Sequence, residues 1–376
     1  MDKEVRRETA AAIEDCRESL PTQLDAESVV FGFDGFVDRV RRMVAERQDE
    51  DTYDSLTTLE ELGDRISTSA AADSSLSIEW LNTATRTGGH TAHLSRAYGH
   101  LGYDPVMIGT YGNPIEEPFA EEFDEFEMVS FGDPGYTDAC EFDDGKLMLM
   151  EINKTRDLDW AEIVEHTEPA ELANRIDGAA LFGMGYFADM PSFPDIVAGL
   201  LEDVWPLLDD PPETVMVDPG DVRKLSEAEL REGMDVITRL DDVATLTITA
   251  NKFESTVLAE TLSGGEYDTL AEASGAAYEA LGVTRFVGHG AHESVVVTAD
   301  GSSRVAVPRV EEPEITTSAG DHFNAGLSLG LVNDVPDRAA VAIGNAVASY
   351  FVGSGDQPSY EELHAYFDEY EAFLEA

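Results

Sequence analysis

Lysine is nearly missing from this chain, occurring only at positions 3, 146, 154, 224 and 252. Basic residues of both kinds number 24 against 77 acidic ones, for a formal net charge of −53. No face can then be basic enough to meet a phosphate backbone, which argues against a nucleic-acid partner. The acidic residues are spread through the whole sequence rather than massed in one tail. This is the composition of a protein that works in a salt-rich cytoplasm, as in halophilic archaea, where screening relieves self-repulsion. Two cysteines, Cys16 and Cys140, make neither a disulfide framework nor zinc-ligand spacing. No apolar run reaches membrane-spanning length, and Met-Asp-Lys-Glu-Val-Arg-Arg opens no signal-peptide core, so a cytoplasmic protein without a membrane partner is expected. A linker rich in proline, glycine or serine is also lacking, so the parts of the chain should form one integrated unit.

What is present is an alternation of strands and helices. Largely apolar runs at Ser28–Phe33, Val106–Gly109, Gly178–Gly183, Thr214–Val217, Thr245–Thr249, Arg285–Val287 and Ser294–Thr298 read as buried strands. Helical patterns fall at Ala92–Leu101, Phe193–Leu207, Ser226–Leu240 and Tyr267–Leu281. That order predicts a doubly wound α/β fold, a mostly parallel sheet with helices on both faces. Residues 1–26 read as an amphipathic helical extension before a main domain at 27–376. Two segments break the alternation. Residues 36–86 hold an insertion with helices expected near 57–66 and 76–82. Residues 111–155 hold short strands at Glu127–Ser130, Cys140–Phe142 and Lys146–Ile152. The strand Ser28–Phe33 is followed by Asp34-Gly-Phe-Val rather than a dinucleotide-binding glycine turn, which excludes a nicotinamide dehydrogenase.

The most informative stretch is Ile315-Thr-Thr-Ser-Ala-Gly-Asp321, a run of small residues that leads into an apolar helical segment. It aims backbone N–H groups and the positive end of a helix at one carboxylate and its surroundings. Phosphoryl transfer needs both parts, donors for the moving phosphate and a base beside the attacking hydroxyl. The run resembles the C-terminal signature of the ribokinase/PfkB family of carbohydrate kinases. Further landmarks recur in family order: Val30 to Asp38, Gly88-Gly89 followed by a helix, Asn251-Lys-Phe-Glu254, and Gly344-Asn345 to Gly355. The resemblance spans roughly residues 27 to 372. It implies a ribokinase-like fold with a small β-rich lid, magnesium and ATP as cofactor and donor, and room for a homodimer formed through the lid.

The resemblance also implies roles. Asp321 would be the catalytic base, and the amides around Ser318, Ala319 and Gly320 the anion hole. Asp38, with Asp34, Gly88, Gly89 and His93, would bind the sugar; His93 stands where the family places an asparagine. Asn251, Gly288, Gly290, Asn345 and Gly355 would border the nucleotide, and Glu254 would reach magnesium through water. Arg39, Arg41 and Arg42 are read as balancing nearby acids rather than holding a substrate phosphate. The substrate is expected to be a ketohexose such as fructose. A nucleoside or sugar-phosphate kinase stays open, as does an inactive sugar- or nucleotide-binding regulator.

Overall fold

The computed structural model describes residues 2–25, 27–50 and 52–375. Its strands, in chain order, are β1 (Val29–Phe33), β2 (Phe36–Arg47), β3 (Tyr53–Ser55), β4 (Trp80–Gly88), β5 (Val106–Gly109), β6 (Glu127–Ser130) and β7 (Gly135–Phe142). There follow β8 (Gly145–Glu151), β9 (Leu181–Gly185), β10 (Thr214–Asp218), β11 (Thr245–Asn251), β12 (Arg285–His289), β13 (Glu293–Thr298) and β14 (Gly301–Ala306). Nine of them form one sheet in the order β14-β13-β12-β11-β10-β9-β1-β5-β6. From β12 to β6 every neighbour is parallel; β13 and β14 close the edge as an antiparallel hairpin.

The central strands are buried along their whole length, which is why they read as continuous apolar runs. Because successive side chains of a strand point to opposite faces, each strand feeds two cores. Val30, Phe182, Val215 and Phe286 enter one core, beneath the Glu227–Ile237, Lys252–Ser263 and Leu270–Leu281 helices. Phe31, Leu181, Met216 and Val287 enter the other, beneath the Ala319–Val332, Asp337–Ser354 and Tyr360–Glu375 helices. The last two cores are held apart only by the sheet, so the fold is the doubly wound one expected.

Helix Lys3–Ser19 buries Ala12, Ile13 and Cys16 in that second core. Thr9 Oγ1 accepts the Ala306 N–H at 2.9 Å, and the Cys16 thiol donates to the Ala339 carbonyl at 3.3 Å. The helix is thus stitched to the sheet edge as well as packed on it. Glycine sets the spacing of the Ala319–Val332 and Asp337–Ser354 pair: a Cβ at Gly326 would lie 2.7 Å from the Ile343 carbonyl oxygen.

The lid is a second sheet in the order β3-β2-β7-β8, with β4 also paired to β2. Two sequence expectations are corrected here. Residues 76–82 are not helical: the chain runs extended and enters β4 at Trp80. And Glu127–Ser130 belongs to the large sheet, as edge strand β6 beside β5, not to the lid. The first part of the 36–86 insertion, with Arg39, Arg41 and Arg42, is the long strand β2, which begins three residues after the end of β1 and runs out of the core into the lid.

Candidate active site

The Ala319–Val332 helix starts from Ser318, whose backbone is left-handed at φ 66° and ψ 10°. A non-glycine residue there is uncommon and bends the chain sharply into the helix. The turn leaves the N–H groups of Ala319, Gly320 and Asp321 without an acceptor among the described residues. Three free donors at the positive end of a helix make a cradle for an anion. Beside it opens a cavity of about 1390 Å³, lined by Asn251, Lys252, Gly290, Asn345, Ala319 and Gly320 among others.

The Asp321 side chain faces the opposite way, toward the carboxyl ends of β1, β9 and β10. Its Oδ1 accepts from the Tyr186 hydroxyl at 2.5 Å and lies 2.9 Å from His90 Nδ1. Burial alone would raise its pKa, but the hydrogen bond and charge of His90, together with the Tyr186 hydrogen bond, hold the carboxyl well below the usual range. Oδ2 has no hydrogen-bond partner among the described residues, so one oxygen is fixed and the other is left to accept.

The glycine pair has a direct steric reason. A Cβ on Gly88 would sit 2.3 Å from Asp38 Oδ2, and one on Gly89 2.6 Å from Asp34 Oδ2. Gly89 also has φ 94°, a conformation that side chains resist. Having no side chain, it cannot cap the His90–His100 helix, and Asp34 does so from β1's end. Its carboxylate takes the His90 N–H at 2.7 Å, the Thr91 N–H at 2.9 Å and the Thr91 hydroxyl at 2.8 Å. Asp38 stands on β2 opposite Arg86 and Thr137, and burial pushes its carboxyl up.

The remaining candidates divide. His93 is committed within the protein: Nε2 meets Ser318 Oγ at 2.9 Å and Nδ1 meets Arg96 at 2.9 Å. Burial pulls its pKa down to about 3, so it is neutral. Asn251 caps the Lys252–Ser263 helix in a reciprocal box with Glu254, whose Oε2 accepts the Asn251 N–H at 2.8 Å. Glu254 is 7% exposed, and burial together with the nearby Asp218 charge raises its carboxyl to about 8. Asn345 lines the cavity, but its amide is engaged by Ser294 at 2.7 Å and Tyr370 at 3.1 Å. Gly288 turns toward Ser274 and Leu270, and Gly355 ends the Asp337–Ser354 helix with φ 75°; neither lines the cavity.

Two residues at the site, His90 and Tyr186, were not singled out from sequence as part of it, whereas Asp218 opens the stretch Asp218-Pro-Gly-Asp-Val-Arg223, which resembles a family strand-end motif and was expected to shape the site. Asp218 accepts from Asn324 Nδ2 at 2.7 Å and from Gly220 N–H at 2.8 Å. The signal that could have found Tyr186 is position, since Tyr186, like Asp218, lies at the carboxyl end of a parallel strand, where α/β sheets place their ligands.

A family model described as prokaryotic ketohexokinase matches residues 5–370. The chain is 46% identical over 368 residues to a ketohexokinase from Haloferax volcanii, an alignment that covers 98% of each chain. A carbohydrate kinase from Agrobacterium tumefaciens superposes with a TM-score of 0.62 at 16% identity, covering 91% of this chain and 97% of that one. A ribokinase from Thermotoga maritima superposes with a TM-score of 0.60, also at 16% identity, over 91% and 99% of the two chains. At that identity the two structures speak for the fold, whereas the family match and the Haloferax relative reach further. The chain belongs to the prokaryotic ketohexokinase family, a branch of the PfkB-type, ribokinase-like carbohydrate kinases.

Proposed function

We propose that this enzyme moves the γ-phosphoryl group of ATP to a hydroxyl of a ketohexose such as fructose. One observation carries the reading: Asp321 offers a free carboxylate oxygen on one side of a helix start whose three unpaired amides open on a large cavity on the other. The sugar would lie against Asp38, Gly88 and Gly89, and the nucleotide in the cavity beside Asn251, Lys252 and Gly290. Asp321 would take the proton of the attacking hydroxyl, and the amides of Ala319, Gly320 and Asp321 would hold the phosphoryl oxygens. An unphosphorylated sugar is favoured over a sugar phosphate because two of the three arginines that follow Asp38 are occupied. Arg39 and Arg41 pair with Asp138 at 3.1 and 2.6 Å, and lie over the Tyr136 and Trp80 rings. Assay of the purified protein in concentrated KCl with ATP and a panel of ketohexoses, pentoses, nucleosides and sugar phosphates tests this. Turnover of a nucleoside or sugar phosphate above that of every ketohexose would overturn it.

The residues suit magnesium. Glu254 is a buried carboxyl near a second buried carboxylate, with one oxygen that receives no hydrogen bond among the described residues. Bound there through water, the ion would neutralise charge on the nucleotide phosphates. Because metal binding needs the carboxylate and this carboxyl ionises only near pH 8, binding should release a proton. The magnesium concentration for half-maximal activity should therefore fall as pH rises from about 6 to about 8. Glu254→Gln should raise that concentration by about tenfold and flatten its pH dependence; a slope that persists in the variant would remove Glu254 from the magnesium site.

Ile315 stands where cation-activated members of the wider family carry an aspartate, and it brings no side-chain oxygen to a site that hard cations would need. Exchanging KCl for NaCl at constant high ionic strength should leave the rate unchanged. A saturable preference for potassium would show that other ligands compensate.

The lid supports a homodimer. Trp80 on β4 and, on alternating faces of β8, Met148, Leu149 and Met150 are each at least 40% exposed, apolar surface that is costly to leave in salty water. Sedimentation in high salt should give twice the chain mass, and Leu149→Asp should halve it; a monomer at every concentration would dispose of the lid contact.

A further inference from the structure

Three buried carboxylates surround one buried imidazole. His90 is 0% exposed, Asp34 1%, Asp218 5% and Asp321 5%. The backbone N–H of His90 donates to Asp34, and its Nδ1 lies 2.9 Å from Asp321 Oδ1. A Cβ on Gly185 would touch both the His90 ring, at 2.8 Å, and the Asp218 carbonyl oxygen, at 3.0 Å, so the imidazole is packed against the end of β10. The Tyr186 ring lies 5.0 Å from the His90 ring, and its hydroxyl donates to the same Oδ1. His90 Nε2 is buried with no hydrogen-bond partner among the described residues, where the ring's one hydrogen bond is with Asp321.

We propose that His90 is the positioning residue of the catalytic base: through Nδ1–H it clamps Asp321 Oδ1 and supplies the positive charge that keeps that buried carboxylate ionised, while Tyr186 fixes the same oxygen from the other side. The inference rests on the reading of Asp321 as the base. In the reaction the sugar hydroxyl proton passes to Oδ2. The hydroxyl oxygen forms a bond to the γ-phosphorus as the bond from that phosphorus to the β–γ bridging oxygen breaks, and ADP leaves with the electron pair. His90 keeps its proton throughout.

A buried carboxylate needs such a partner because its desolvation would otherwise favour the neutral acid, which cannot act as a base. Among the described residues no lysine or arginine takes this part. Arg96, the cation on the same helix, is bound to Glu122, His93 and Thr87. The titratable groups that face His90 are Asp34 from β1, Tyr186 after β9, Asp218 from β10, Asp321 from the Ala319–Val332 helix, and His93 from its own helix. Burial opposes its protonation, but Asp321, Asp218 and Asp34 outweigh that and raise its pKa. His93, neutral and tied to Ser318, adds no competing charge.

The experiment is steady-state kinetics of His90→Asn and Tyr186→Phe across pH in concentrated KCl, with Asp321→Asn beside them. Asparagine keeps a donor of similar reach but no charge. We expect kcat to fall about 10- to 100-fold in His90→Asn, the scale of losing a residue that orients and charges a functional group. KM for ATP should stay within about twofold, since the three amides are untouched. The acid limb of kcat should rise by about one to three pH units, because without the positive charge Asp321 takes up a proton earlier. Tyr186→Phe, which loses one hydroxyl only, should move the limb the same way by less. A kcat within about threefold of the unmodified enzyme, an unmoved acid limb, or a loss confined to KM for the sugar would each overturn the inference. If His90→Asn does not fold, an unmoved limb in Tyr186→Phe overturns the clamp. If Asp321→Asn itself stays active, the reading of the base falls and not merely its positioning.

Discussion

Asp321→Asn lowers turnover by roughly two to four orders of magnitude, the usual scale for a positioned general base, and leaves nucleotide affinity nearly intact. Asparagine matches aspartate in size, and its carbonyl oxygen can still accept from Tyr186, so the local packing survives. What disappears is the free oxygen that accepts a proton. The amides of Ala319, Gly320 and residue 321 belong to the backbone and keep their aim at the phosphates. ATP binding followed by calorimetry should thus be unchanged within about threefold while kcat collapses, the signature of an interaction made only in the transition state. Turnover within about tenfold of the unmodified enzyme would sink the assignment.

Melting in dilute buffer gives the second large effect. Even if every one of the 24 basic residues found an acidic partner, the formal charge of −53 would remain. The ion pairs that form among the described residues mostly join distant parts of the chain, such as Arg17 with Asp368 and Glu371, or Arg338 with Asp15, and they involve only a minority of the acidic residues. Screening acts over about 10 Å at 0.1 M salt and about 3 Å at 1 M, so molar salt silences all but adjacent charges. Recovering about 5 kcal/mol of self-repulsion would raise Tm by roughly 6 °C in a chain of this length. Calorimetry from about 0.1 M to about 3 M KCl should show that rise; a flat Tm would mean that the acidic surface does not govern stability.

How much of this was legible in the sequence follows from the range of the forces involved. Buried parallel strands announce themselves because both faces must be apolar, and β1, β10 and β11 were read nearly to the residue. The start of the Ala319–Val332 helix was legible for the same local reason: small residues are needed where backbone must approach a phosphate. Strand β4 was not. Seven of its nine residues are at least partly exposed, so alternation is lost, and Ile78, Trp80 and Leu81 mimic a helical stripe. Strand β6 was assigned to the lid because a short, partly polar edge strand carries no mark of the sheet it joins.

The site divides in the same way. Asp34, Asp38, Gly88 and Gly89 lie within motifs and come together as expected, although Asp34 is spent on capping the His90–His100 helix. His90 and Tyr186 meet Asp321 across 231 and 135 residues of chain, a juxtaposition created only by the order of β1, β9 and β10 in the sheet. His93 was chosen over His90 by analogy with an asparagine, and packing reverses their places: His93 is bound into the scaffold and His90 faces Asp321.

Four of the chain's eight histidines, His90, His93, His289 and His322, gather at the start of the Ala319–Val332 helix. Each ring sits in a different setting: against a carboxylate, against a serine hydroxyl, stacked on Phe323, and stacked on Phe351. Selective isotopic labelling of histidine alone would therefore turn the spectrum of a large protein into a short list of well-separated resonances, half of them at the candidate site. The site carries its own reporters, and substrate arrival, proton movement and the effect of each substitution could be followed on them without attaching a foreign probe.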